Sequence, residues 1–160
     1  EMVSDVDLVR EQIRVAAGLP LGFTKEDIHI KGHAIECRVN AEDPTRNFAP
    51  SPARIDFLHV PGGMGVRVDT GIYQGYTVPA QYDSLIAKLD VWAPTRLEAL
   101  RRCRRALEEL IVEGPATNID LLHQVMYHPQ FIHGTYTTSF MDEHLQEILG
   151  WDAEQKKVSA

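Results

Sequence analysis

Cysteine is scarce in this 160-residue chain: there are two, at positions 37 and 103. That scarcity excludes a disulfide framework and the paired spacings of cysteine-based zinc sites. No apolar run approaches the roughly 20 residues of a membrane span. The acidic, immediately amphipathic N-terminus does not read as a signal peptide. Basic charge is short too: 16 Lys and Arg stand against 23 Asp and Glu, a net charge of −7 that argues against nucleic acid as a partner. Gly-x-Ser-x-Gly, Cys-x-x-Cys and His-Glu-x-x-His are all missing, which removes the chemistries those motifs carry. The glycines of Pro61-Gly62-Gly63-Met64-Gly65 lack the Gly-Lys-Ser/Thr of a phosphate loop and read as a tight turn. What remains, 44% hydrophobic and 24% charged, is the composition of a soluble globular chain of one-domain size. Cys37 and Cys103 read as small buried hydrophobes, reduced, in a cytoplasmic protein.

The stretch from His33 to Pro44, HAIECRVNAEDP, is the richest in information. As a strand its alternation sorts the side chains cleanly. Ile35, Cys37, Val39 and Ala41 face one way; Glu36, Arg38 and Asn40 face the other. Such a strand sits on a core while holding a guanidinium, a carboxylate and an amide toward a shared space, as an anion or developing oxyanion requires.

Around it the elements follow from punctuation. Ser4 is expected to cap a helix with Val6, Val9, Ile13 and Ala16 on one face, ended by Gly18 and Pro20. Residues 19–32 read as a connector with a short helix or strand near Asp27 to Ile30. Strands are expected at His33 to Ala41, Arg54 to Val60, Gly65 to Asp69 and Ser84 to Trp92, with turns at Pro50-Ser51-Pro52 and Pro61-Gly62-Gly63. No helical crossover separates them, so the sheet should be antiparallel and hairpin-connected. Thr95 and Glu98 form a capping box for a helix with the stripe Leu97, Leu100, Cys103, Leu107 and Leu110, closed by Gly114-Pro115. Asn118 is expected to cap a helix from Ile119 to Tyr127, and a last helix runs from about Ser139 to Leu149. Residues 152–160 are expected to fray.

Two constellations read as structural. The run Arg101-Arg102-Cys103-Arg104-Arg105 has glutamates four residues away, at Glu98, Glu108 and Glu109, and reads as solvated pairs on a helix face. His123, His128 and His133 recur at intervals of five, but Pro129 interrupts them and no Cys or paired Glu supports a metal site.

The run GHAIECRVNAEDP, with Phe48-Ala49-Pro50-Ser51-Pro52, Pro61-Gly62-Gly63-Met64-Gly65-Val66-Arg67, Gly75-Tyr76-Thr77-Val78-Pro79, Tyr82-Asp83-Ser84-Leu85-Ile86-Ala87-Lys88 and Thr117-Asn118, resembles the biotin carboxylase family from Glu1 to about Leu149. The resemblance implies an α+β fold: an antiparallel sheet of barrel-sandwich-hybrid type flanked by helices, the C-terminal part of an ATP-grasp enzyme. Residues 1–20 would be the terminal helix of the preceding ATP-grasp domain, 21–150 the C-terminal domain and 151–160 a frayed tail. It further implies a ligase that carboxylates biotin at N1′ with ATP and bicarbonate. Mg²⁺ or Mn²⁺ would be bound by the absent upstream domain, no metal ligand would lie in this chain, and the isolated chain would be inactive.

Carried over residue by residue, the resemblance makes Arg38 the cation that meets the negative charge on the biotin ureido oxygen. Asp83 and Tyr82 border the biotin pocket, and Glu36 and Asn40 support Arg38. Arg67 and Met64 fall at a two-fold dimer contact, with Met64 where an aromatic is often found. Thr138 falls near the adenine ring, at a position that is commonly Ile. The implied partners are a biotin carboxyl carrier protein or domain, a carboxyltransferase and a second copy of the full-length subunit. The implied setting is acetyl-CoA carboxylase and fatty acid biosynthesis. Two alternatives stay open: the same domain in a pyruvate, propionyl-CoA, methylcrotonyl-CoA or urea-degrading carboxylase, or a non-catalytic module for dimerisation or carrier docking.

Overall fold

The computed structural model describes residues 1–158, with side chains through Trp151. It is α+β, and its described ladders are all antiparallel. The central sheet has three strands, β1 (His33–Asn40), β5 (Val66–Thr70) and β6 (Leu85–Ala93), in the order β1-β6-β5. Two short ladders flank it: β2 (Glu42–Asp43) with β3 (Ala49–Pro50), and β4 (Phe57–His59) with β7 (Ile111–Glu113). The expectation of hairpin connection holds only in part. β1 pairs with β6 across more than forty residues of chain, and β4 finds its partner beyond a helix.

The described residues also form five α-helices: α1 (Leu8–Ala16), α2 (Arg96–Glu109), α3 (Ile119–Val125), α4 (Pro129–His133) and α5 (Phe140–Val158). The core lies between the inner face of the sheet and α2. Ile35, Cys37, Val39 and Ala41 from the β1 segment, and Leu89, Val91 and Ala93 from β6, are buried against Ala99, Leu100, Cys103, Ala106 and Leu107. Ala99, Cys103 and Ala106 are small, so α2 approaches the sheet closely. Cys37 Sγ and Cys103 Sγ lie 3.5 Å apart as free thiols. Emptying such a site costs both the transfer energy of the lost atoms and that of the cavity left behind.

Several local expectations are corrected. α1 is capped by Asp7, whose carboxylate accepts the Arg10 N–H at 2.9 Å, not by Ser4, which lies in the preceding turn. Gly18, at φ +79°, ends the helix as expected. Around Asp27 there is one 3₁₀ turn, Lys25–Asp27. The Thr95–Glu98 capping box forms, but Leu97 is 48% exposed. The buried stripe centres on Ala99, Cys103 and Ala106, which leaves Leu97 at its rim. The helix stops at Glu109 because Ile111 and Val112, β-branched, extend into β7 before Gly114. α5 continues past Leu149 to Val158, since Ala, Glu, Gln and Lys there favour helix. Residues 152–158, expected to fray, are helical, and the rest of that expectation, at Ser159 and Ala160, lies outside the described residues.

The α2 arginines also differ from expectation. Arg105 pairs with Glu109 at 2.8 Å, as the spacing suggests. Arg102, however, donates to the Trp92 carbonyl, and Arg104 to the Met126 carbonyl at 2.6 Å. Arg96 likewise donates to the carbonyls of Phe131 and Ile132. These helix-borne cations tie the end of β6, α3 and α4 to α2.

Candidate functional site

The outer face of the central sheet carries the polar side chains of the strand alternation. Antiparallel partners share a face, so register defines two cross-strand rows. One row is Glu36, Asp90 and Arg67; the other is Arg38, Lys88 and Asp69. Arg38 is 56% exposed and makes one ion pair among the described residues, to Glu36 Oε1 at 3.6 Å. Arg67 grips both oxygens of Asp69, at 2.9 and 2.8 Å, and reaches Glu1 at 3.3 Å. That grip, through hydrogen bonding first, holds the Asp69 carboxyl below its ordinary range. Asp90 moves the other way: burial, then the Glu36 and Asp69 carboxylates, push it up.

Arg38 is fixed from its backbone. Asn118, buried at the entry to α3, donates Nδ2–H to the Arg38 carbonyl at 3.1 Å and accepts the Asn40 N–H through Oδ1 at 2.9 Å. Its own N–H donates to the Asn40 carbonyl at 3.2 Å. Asn118 thus makes no side-chain cap to α3, contrary to expectation; the clamp on β1 consumes both ends of its amide. Asn40 donates Nδ2–H to Glu42 Oε2 at 3.3 Å, and Ser84 Oγ–H donates to the other oxygen of Glu42. Glu42 therefore joins the end of β1 to the start of β6. Sequence reasoning gives neither Glu42 nor Asn118 a site role. A polar residue followed at once by the buried Ile119 and Leu121 was the available signal for Asn118.

Asp83 sits two residues before β6, where its Oδ1 accepts the Leu85 N–H at 3.0 Å. It borders a cavity of about 250 Å³ with Tyr82, Ala41, Ser51, Val78 and Ser84. Tyr82 is 81% exposed. The structure does not bring Asp83 against Arg38: each carries its own contacts, on successive stretches of the same polar edge. Met64 lies apart, fully in the open, in the turn before β5. Gly65, at φ +70°, lets that turn pass so close to Trp92 that a Cβ would strike its carbonyl. Thr138 is exposed in the loop before α5.

The three evenly spaced histidines are not gathered. His123 meets Glu108 at 3.0 Å, while His128 is buried beside His144 and Glu147. Ligand atoms of His128, His144 and Glu147 lie within 4.8 Å of one another. His128 Nδ1 accepts the Gln130 N–H at 3.3 Å and caps α4, so its Nε2 carries the proton. That tautomer directs a proton, not a lone pair, toward Glu147. Among the described residues no helix is long and apolar enough to cross a membrane.

Residues 36–143 match the family model of the biotin carboxylase C-terminal domain. The chain is 49% identical over 158 residues to one of the pyruvate carboxylase subunits of Methanothermobacter thermautotrophicus, covering 99% of this chain and 32% of the relative. It is 50% identical over 145 residues to biotin carboxylase of Haemophilus influenzae, covering 91% and 32%. A solved biotin carboxylase subunit of pyruvate carboxylase superposes with a TM-score of 0.89 at 48% identity, over 92% of this chain and 33% of that one. The Hydrogenobacter thermophilus 2-oxoglutarate carboxylase biotin carboxylase domain dimer, solved with MgADP, ADP and bicarbonate, gives 0.88 at 47% over the same shares. The chain spans about a third of the length of these relatives. With motif, register and fold in agreement over nearly all of its length, this chain belongs to the biotin carboxylase C-terminal domain family.

Proposed function

We propose that this chain is the C-terminal part of an ATP-dependent biotin carboxylase and carries the cation on which biotin deprotonation depends. The observation that carries the reading is the placement of Arg38. Its guanidinium stands half-exposed, paired only with Glu36 among the described residues, on the outer face of a strand whose inner face is buried and whose Arg38 carbonyl is clamped by Asn118. In the reaction, bicarbonate attacks the γ-phosphorus of ATP, giving ADP and carboxyphosphate. Carboxyphosphate breaks down to CO₂ and phosphate, and phosphate takes the N1′ proton of biotin. The freed electron pair delocalises onto the ureido oxygen and returns through N1′ to form the bond to CO₂. Arg38 meets the oxygen at the moment it carries charge, as a planar, permanently charged donor that needs no reorganisation. Glu36 orients the guanidinium, and Asn40 relays the Glu42 contact to the same strand.

ATP, with its Mg²⁺ or Mn²⁺, is held by the part of the relatives' length that this chain does not span; the ion neutralises phosphate charge there. Residues 1–20 belong with that preceding domain, a placement supported by α1 burying none of its residues. Residues 21–150 form the C-terminal domain, whose three sheets contribute to a barrel-sandwich hybrid. Tyr82 and Asp83 border the biotin pocket, and Asp83 Oδ2, without a partner among the described residues, is free to receive a ligand. Met64 and Arg67 lie at a homodimer contact, and Thr138 near the nucleotide. The partners are a biotin carboxyl carrier and a carboxyltransferase, the latter choosing between acetyl-CoA and the other acceptors.

The test is biotin- and bicarbonate-dependent ATP cleavage by the full-length enzyme with Arg38→Ala. The expected loss is on the order of 10²- to 10³-fold in kcat with the dimer intact. Wild-type turnover together with altered assembly would replace this reading with the scaffold one.

A further inference from the structure

The charges on the outer face of the central sheet do not pair off completely. Arg38 has Glu36 at 3.6 Å, and Arg67 occupies both oxygens of Asp69. Lys88 stands directly across from Arg38 on one side and Asp69 on the other, yet makes no hydrogen bond or ion pair among the described residues. Asp69 has both oxygens held by Arg67, so Lys88 acts on it, and on Asp90, only through charge at longer range. Like charges directly opposite on one sheet face repel; Glu36, Asp69 and Asp90 offset part of that repulsion here, and an anion received between the two cations would offset more. The half-buried Lys88 backbone, between buried Ala87 and Leu89, gives the side chain no route to the other face.

We infer that Lys88 is a second cation of the ureido site: an anion received by Arg38 is held between the Arg38 guanidinium and the Lys88 ammonium. This rests on the biotin carboxylase reading above. The two groups suit complementary tasks. The guanidinium is a rigid planar fork, while the ammonium is a compact point charge on a flexible stem with three donors. Neighbouring strands lie about 4.8 Å apart, so both heads are within reach of one oxygen. The ureido oxygen carries full charge only once the N1′ proton has moved to phosphate, so a second cation there acts on that step and contributes little to binding neutral biotin.

The experiment uses the full-length enzyme with free biotin as substrate and compares Lys88→Met, Lys88→Arg and Arg38→Ala. Lys88→Met is expected to lower kcat by about tenfold or more while leaving the KM for ATP and the melting temperature in place, and Lys88→Arg is expected to restore most of the rate. Wild-type kcat in Lys88→Met beside a collapsed Arg38→Ala would remove Lys88 from the site and leave the parent reading standing. A joint loss of rate and melting temperature that Lys88→Arg does not repair would make Lys88 structural and overturn the inference. Wild-type rates in both Lys88→Met and Arg38→Ala would instead sink the parent reading.

Discussion

Replacing Asn118 with alanine is the sharpest perturbation of the scaffold beneath Arg38. The substitution removes the Nδ2–H donated to the Arg38 carbonyl and the Oδ1 that accepts the Asn40 N–H, while sparing the backbone bond from Asn118 N–H to the Asn40 carbonyl. Asn118 is 8% exposed, so water reaches the two orphaned backbone groups poorly. Each orphan costs about 1–3 kcal/mol, and partial rescue by water places the sum near 2–4 kcal/mol. For a domain of this size that is a fall of roughly 5–15 °C in melting temperature. The assay is denaturant unfolding of wild type and Asn118→Ala, watching the midpoint at constant slope. Asn118→Asp separates the two bonds: the acceptor for Asn40 remains, and a carboxylate oxygen now faces the Arg38 carbonyl. It should therefore be no more stable than alanine at neutral pH. A loss below about 0.5 kcal/mol in Asn118→Ala would refute the clamp, because it would mean that β1 holds its own edge through the ladder to β6 alone.

Two further outcomes follow from burial. Cys37 and Cys103 should stay unlabelled by a disulfide reagent in the native chain and both react after denaturation, because the hydrogen bond between them, followed by burial, holds the Cys37 thiol far above its ordinary value. Native-state labelling at a rate near that of a free thiol would contradict this packing. Burial, then the neighbouring His144, pushes His128 below its ordinary value, with Glu147 opposing. The unfolded chain then binds the extra proton, so the stability is complete above about pH 6.5 and drains away as pH falls from there through the lower folded value. Melting temperature measured from pH 7.5 to 5 should fall, and His128→Asn, which keeps the α4 cap, should flatten the curve; a wild-type profile flat from the start would count against the buried neutral imidazole.

What was legible in the sequence was whatever a short window determines. The alternation of Ile35, Cys37, Val39 and Ala41 against Glu36, Arg38 and Asn40 assigns the faces of β1 correctly, because a strand's period is two. The Thr95–Glu98 box marks the start of α2 because both bonds close within four residues. Apart from the α1 cap and the length of α5, what was misread depends on a distant partner. Asn118 has the composition of a helix cap and the job of a strand clamp, a difference decided seventy-eight and eighty residues away. Arg102 and Arg104 have glutamates at helical spacing, yet main-chain carbonyls on β6 and after α3 claim them first. β7 was hidden because Ile111 and Val112 follow an apolar helical stripe without a break and take their extended form from β4. The place of Arg38 on the outer face was legible for the same reason as β1, whereas the crossing of Lys88 opposite it needed the register.

The arginine grips of α2 carry a consequence for how this domain can vary. Arg96, Arg102 and Arg104 seize main-chain oxygens, which every residue type offers alike. Such a joint asks little of the side chains in the segment it holds, apart from Tyr127 and Phe131, whose rings lie under Arg104 and Arg96. The exposed positions of the turn and of α4 between Met126 and His133 can therefore drift in sequence while the position of the segment against α2 stays constant. Replacing any one of these three arginines by lysine would forfeit the forked geometry on which that tolerance depends.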